Sequence, residues 1–420
     1  MATGIAGSCD AAVPLAHRTS VTMPATDRPF FGRVESLRGL GALLVAAYHF
    51  TGMQLHGAPL VPDRPLHHGL GWVAWGLLPA HAALMVFFVI SGLVLRQSLA
   101  YGPQRPGAAA AKFLLGRFFR IYPIVIVGVT LTALVQGFEV APCGQAARPL
   151  PVHEFLANLC LLDITVNGSL WALQVEVLMV PILLALYFLE RSRGPYALLA
   201  VALVSTALAY KPHWALWPPL STNLFAFVLG MTVPTLGRAA VLAMTRRGAT
   251  VWMLGAVVAL ALTRGCFGLF ARAGAVVEGY AAVVLVSLVA YREDIRLLQW
   301  LDIRSMRLLG QSSGSYYVLH MASVPLATAI ASAVIPQFWS AEAPALVAYL
   351  VIMPWLLGLA PLSACSYRTI EAPGIALGRR VMAWCHLAHP RPRICGTAAT
   401  PCHSSVSRDF VGEDTSGRRP

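Results

Sequence analysis

The chain has 420 residues, 57% of them hydrophobic and only 12% charged, with a formal net charge of +13. A soluble domain carries about twice that charged fraction, so an ordinary soluble enzyme is excluded. The positive charge is not gathered on one soluble face, as nucleic-acid binding requires; it is scattered between apolar runs, the pattern of a protein whose solvent is largely lipid.

Residues 1–30 are rich in Pro, Thr and Arg, hold no apolar core long enough for a cleaved signal peptide, and are expected to be disordered. Apolar spans follow at about 37–55, 74–97, 118–137, 169–189, 195–210, 220–236, 250–266, 274–291, 312–335 and 344–365. A helix of about 20 residues crosses a hydrocarbon core, and backbone groups in lipid must be satisfied within the segment. The expectation is an all-α, polytopic membrane protein with about ten transmembrane helices. Its membrane domain runs over 31–380, and a disordered basic tail follows over 381–420. An even span count puts both termini on one side. Of the 31 lysines and arginines, all except Arg64, Arg148, Lys211, Arg264 and Arg272 then share that side. The positive-inside rule makes it the cytoplasm and makes 138–168 an outer loop. Cys143 and Cys160 share that loop and can pair in an oxidising compartment. No cysteine spacing resembles a zinc site, and no inverted repeat of the transporter type is visible.

Ionisable residues inside apolar spans are costly, and are usually kept for function. The first pair is Arg38 and His49 in "SLRGLGALLVAAYHF". Eleven residues make nearly three turns, so both lie on one helix face, about 16 Å apart along the axis. Arg38 then sits at the inner boundary and His49 near the midplane. Glu176, in "SLWALQVEVLMVP", lies seven residues into its span and is expected at a depth similar to that of His49. A His49–Glu176 pair would orient an imidazole to act as general base on a hydroxyl. Arg117, Arg120 and Tyr122 in "GRFFRIYP" gather at the inner mouth of the third span, where guanidiniums suit phosphate groups. Each feature also has a plainer account. Arg38 can snorkel, Glu176 can pair with backbone or a tyrosine, and Arg117 with Arg120 can be positive-inside signalling. Ser91 and Gly92 in "FFVISG" read mainly as small residues permitting close helix approach, and His320 in "GSYYVLH" as a satisfied polar contact or a second site residue.

In this order the motifs resemble the acyltransferase-3 family of bacterial membrane acyltransferases. The resemblance runs from "VESLRGL" with "YHF" through "FFVISG", "RFFRIYP", "SLWALQVE" and "LGQSSGSYYVLH" to "SYRTIEAPGIALGRR", over about residues 33–380. It implies acyl-CoA-dependent O-acylation of cell-surface polysaccharide, lipopolysaccharide or secreted small molecules. Arg38 with His49 matches the family's Arg-x(10)-His pair, and Arg117 with Arg120 its Arg-x-x-Arg pair. Glu176, Arg368 and Glu371 match further characteristic positions, and Trp171 and Tyr317 lie in matched motifs. Two departures stand out: Ala172 occupies a place where Ser or Thr is common, and "QSSGS" replaces the more usual start, putting family roles for Ser312 and Gly314 in doubt. No hydrolase-like domain follows Arg380, so a second, periplasmic transfer step is not expected on this chain.

The expected reaction is transfer of an acyl, specifically acetyl, group from acyl-CoA as donor substrate to a hydroxyl of a cell-surface carbohydrate or secreted glycoconjugate. His49 and Glu176 would be catalytic, and Arg38, Arg117, Arg120 and Tyr122 donor-binding. Ser91, Trp171, Tyr317, His320, Arg368 and Glu371 are further site candidates. No bound cofactor, metal or nucleic-acid partner is expected; the partners are the bilayer of the bacterial inner membrane, acyl-CoA and a carbohydrate or glycolipid acceptor. The alternative is a multi-span transporter or flippase of a lipid-linked or acylated substrate, for which an arginine cluster beside an intramembrane histidine has no evident use.

Overall fold

The computed structural model describes residues 31–55, 79–103, 105–138, 150–210, 218–267, 271–334 and 344–385. Ten long helices account for most of them: α1 (Gly32–Leu55), α2 (Ala80–Ala100), α3 (Pro106–Phe138), α4 (Trp171–Arg193), α5 (Pro195–Tyr210), α6 (Pro218–Thr232), α7 (Arg246–Phe267), α8 (Arg272–Tyr291), α9 (Ser313–Val334) and α10 (Pro344–Ser366). Each expected span falls largely within one of them, although α3 starts twelve residues before its span and α2 six residues after its own. Six segments are long and apolar enough to cross a membrane: Ala80–Ala100, Pro106–Gln136, Gly168–Arg193, Pro219–Leu242, Arg246–Phe267 and Arg272–Tyr291. The protein is therefore an all-α, multi-pass membrane protein. The tails 1–30 and 386–420 lie outside the described residues, as does Cys143; Cys160 is exposed.

α2 is the hub. Two-thirds of its span is buried within the protein, against about a fifth for α7. The outward face of α7 carries Val251, Trp252, Leu254, Val257, Val258 and Leu262, an apolar surface suited to lipid rather than water. Dispersion, not hydrophobic exclusion, holds helices together in lipid, so backbones must come close. α2 and α6 meet at Gly92 and Gly230, where an added Cβ on either would overlap a backbone carbonyl of the other helix (Phe227 or Val89). Gly92 in "FFVISG" thus has the packing role expected of it.

Two short helices fix the rim at the Arg38 end of α1. Arg304–Gln311 packs backbone to backbone on α1, where Gly310 lies against Glu35 and Ser36 and a Cβ on Gly39 would meet Gly310 N at 2.5 Å. After α10 the chain makes a π-turn at Tyr367–Glu371 and continues as a helix over Ala372–Trp384, four residues beyond the expected domain end at 380. That helix lies on α3, its Gly374 and Gly378 making room for Pro123 and Phe119. Charges at this rim are paired. Arg96 at the end of α2 grips Glu190 of α4 through two 2.8 Å bonds, and Arg33 meets Asp302 at 2.7 Å. Asp302 is thereby held below its usual carboxylate range, with the Arg33 hydrogen bond as the main cause.

Candidate active site

A cleft of about 860 Å³ empty volume opens among α1, α2, α3, α4, α9 and the π-turn after α10. Three arginines line it: Arg38, Arg117 and Arg120. They come together because α3 is much longer than its apolar span suggests. Since it begins at Pro106, Arg117 stands eleven residues, about 16 Å, inside the helix rather than at its mouth. Arg117 Nη1 donates to Glu176 Oε1 at 3.0 Å, and Ser91 Oγ lies 3.4 Å from the same oxygen. Arg38 Nη2 donates to Ser313 Oγ at 2.8 Å. Among the described residues Arg120 makes no hydrogen bond or ion pair.

Glu371 completes the rim. The π-turn rotates it inward, where it is 5% exposed and accepts from Ser315 Oγ, which also lies 3.1 Å from Ser366 Oγ. Gly314 leaves the space that Glu371 fills, since a Cβ there would come within 2.9 Å of Glu371 Oε2. Among the lining residues three guanidiniums face two carboxylates, so the lining itself carries one surplus positive charge when all are ionised. A partly buried cation without a full counter-charge favours an anionic ligand.

His49 stands apart from this cleft. Its Nδ1 lies 2.9 Å from His320 Nε2, and the two rings stack at 5.1 Å between centroids. The expected His49–Glu176 pair is not formed. Glu176 sits at the level of Arg38 and Arg117, a long step below His49, and the nearer guanidinium takes it. His320, 0% exposed, instead has the neighbour role. Tyr317 lines the cleft and joins the two levels: its ring is 5.6 Å from His320, and its hydroxyl donates to Ser169 O at 2.8 Å. That carbonyl is fixed by Asn167, which accepts from the Ser169 backbone N–H and hydroxyl and donates to Thr132 Oγ1 and Val318 O. The network ties the start of α4 to α3 and α9.

Besides His49 and His320, three candidates fall outside the cleft. Tyr122 stacks on Phe118 at 4.6 Å and faces an adjoining apolar groove between α3 and α4. Arg117 lines that groove as well as the cleft, so Tyr122 lies beside the site without lining it. Trp171 stands behind Phe88, 6.1 Å between ring centroids, and reaches the cleft only through that residue. Arg368 is exposed on the outside of the π-turn. Sequence reasoning missed Ser313 and Ser315, because the departure at "QSSGS" drew attention to Ser312 and Gly314. It also missed Glu278. A carboxylate in the middle of the apolar run 274–291 was the available signal. Glu278 is 0% exposed, holds Arg264 through bonds of 2.7 and 2.8 Å, and lies 2.6 Å from His81 Nδ1.

Residues 31–364 match the model of the acyltransferase domain. No curated protein and no solved structure matches the chain. The domain match covers all but the last of the lining elements, and it carries the same helices that build the arginine cleft and the histidine pair. The chain belongs to the acyltransferase-3 family of membrane-bound acyltransferases.

Proposed function

We propose that this acyltransferase works in the bacterial inner membrane with both termini in the cytoplasm, moving an acetyl group from acetyl-CoA to a hydroxyl of a cell-surface or secreted carbohydrate. One observation carries the reading. Arg38, Arg117 and Arg120 share a cleft with surplus positive charge at one end of α1, and His49 lies about 16 Å along the same helix. Phosphates of the donor suit the guanidiniums, which bind them as bidentate forks. An extended pantetheine arm spans the distance to the histidine pair.

The pair then has a defined chemistry. If His49 donates Nδ1–H to His320 Nε2, its own Nε2 keeps a lone pair for the acceptor hydroxyl. As the hydroxyl oxygen bonds to the thioester carbonyl carbon, His49 takes the proton. The C–S bond breaks, and the leaving thiolate recovers that proton from His49. The imidazolium formed on the way is stabilised by its hydrogen bond to neutral His320. Glu176 holds Arg117 in place rather than acting on the imidazole.

The test uses purified protein in nanodiscs with radiolabelled acetyl-CoA, scoring hydrolysis and transfer. His49→Ala and His49→Gln should each lower turnover by about 10²–10⁴-fold with donor binding retained. Full activity in His49→Gln would remove the base assignment, and loss of donor binding in His49→Ala would move His49 into the donor pocket. Mass spectrometry of surface glycans from a deletion strain, seeking a lost acetyl mass, names the acceptor.

A further inference from the structure

The buried cluster of His81, Glu278 and Arg264 lies at the end of the bundle away from the cleft arginines. α1 and α2 run antiparallel and touch where Gly41 meets the Phe87 ring. On one side of that crossing, Arg38 and Ser91 line the donor cleft. On the other, His49 is eight residues on along α1, about 12 Å, and His81 six residues back along α2, about 9 Å. The rise along each helix therefore carries His81 to nearly the level of the His49–His320 pair.

The cluster is ordered beyond what helix packing needs. Arg264 and Glu278 already satisfy each other with two hydrogen bonds, Nε to Oε1 and Nη2 to Oε2. His81 is added to a carboxylate that is already paired. Its Nδ1 lies between Glu278 Oε2 and Arg264 Nη2, so that nitrogen is spent inside the cluster in either tautomer. Nε2 is the ring nitrogen left over, held in a fixed direction, and nothing among the described residues bonds to it. Glu278 is 0% exposed and Arg264 9%, but His81 is 33% exposed. The accessible part of the cluster is thus one oriented ring nitrogen. A hydroxyl group suits it; a second anion does not, since Glu278 lies beneath.

We infer that His81 is an acceptor-binding residue, its Nε2 hydrogen-bonded to a sugar hydroxyl, with Glu278 and Arg264 as positioning residues. The inference rests on the reading of the chain as an O-acyltransferase that takes its donor at the arginine cleft. With the donor entering from that end, the acceptor must reach His49 from the other, and His81 stands there.

The experiment uses full-length protein in nanodiscs with acetyl-CoA as donor and n-octyl β-D-glucoside as a membrane-soluble sugar acceptor. His81→Phe keeps a ring and removes the nitrogen. It should lower transfer to octyl glucoside at least tenfold while acetyl-CoA hydrolysis stays within twofold of wild type. Glu278→Gln should shift the same ratio in the same direction. An unchanged ratio, or a parallel fall in transfer and hydrolysis, would reduce the cluster to a structural lock and overturn the inference. A second measurement stands apart from turnover: carbethoxylation of His81 by diethyl pyrocarbonate, read by peptide mass spectrometry. Octyl glucoside should slow it several-fold, and absence of protection counts against the acceptor role. A wild-type protein that neither hydrolyses nor transfers, yet still shows protection, would count against the proposed donor chemistry and not against this site.

Discussion

Two clusters of ionised side chains sit inside this helical bundle, and they use arginine in opposite ways. Arg264 is saturated: both Glu278 oxygens are bound to it, and the pair is closed to solvent on the carboxylate side. In the cleft, by contrast, Arg117 shares one Glu176 oxygen, Arg38 has only a serine hydroxyl, and Arg120 has no bond among the described residues. A guanidinium carries five donors. Where a carboxylate uses them up, arginine is structural; where donors are left over beside a cavity, it awaits an anion. The lesson is that burial alone does not mark a binding arginine, whereas unspent hydrogen-bonding capacity does.

The largest effect expected from this contrast is on stability. Glu278→Ala removes the buried carboxylate that takes two of Arg264's hydrogen bonds, and should cost about 3–5 kcal/mol. Thermal unfolding in detergent measures it. Adding Arg264→Met should recover most of the loss, because removing both members of a buried pair is often nearly neutral. If the double variant is no better than the single one, the cluster does more than balance charge.

In the cleft the same kind of truncation should act on affinity instead. Arg120→Ala removes a cation that has no hydrogen-bonded partner among the described residues, so unfolding should shift by no more than about 0.5 kcal/mol. The donor KM should rise about 10–100-fold, the worth of a charged hydrogen bond to phosphate. Arg120→Lys should restore only part of it, since the bidentate fork is lost. A destabilised Arg120→Ala with an unchanged KM would erase the distinction between the clusters.

Arg117→Ala is the intermediate case. It strands Glu176 beside the cleft and lowers the surplus positive charge, so stability and donor affinity should both fall. Arg117→Ala combined with Glu176→Gln should regain stability but not donor affinity. Donor titration and melting on the same samples separate the two.

The smallest effect marks the surface limit. Asp302 is held below its normal range by Arg33, so the bridge stabilises the folded state fully above the unfolded carboxylate pKa near 4. That contribution disappears as pH falls through the lowered folded value. Asp302 is 34% exposed, so screening holds the gain to about 1 kcal/mol or less. The melting-temperature difference between Asp302→Asn and wild type should therefore be small at pH 7 and vanish in acid.

The ten spans, the family and the arginine cluster were legible in the sequence. Helix periodicity placed Arg38 and His49 on one face, and Arg117 and Arg120 do line one cleft with Glu176 and Ser91. The assignment of partners was not legible. Depth was counted from the edge of each apolar run, but α3 begins twelve residues before its apolar stretch. That offset brings Arg117 to Glu176 and leaves His49 to His320. Glu371 could be proposed from its motif, but only the π-turn shows how it faces inward while Arg368, three residues earlier, faces out.

Composition and hydropathy by themselves decide that this chain is a bundle of membrane helices, because lipid allows only helices or closed barrels and continuous apolar runs of about 20 residues fit helices. Motif order along those helices decides the acyltransferase family. Which charge neutralises which was decided only by tertiary structure. Hydrogen bonds depend on ångström distances between helices that are far apart in sequence, as with His81 and Glu278, 197 residues from each other. Periodicity fixes the face and height of a residue on its own helix, but the crossing at Gly92 and Gly230, and the length by which each helix overruns its apolar stretch, fix what that face meets.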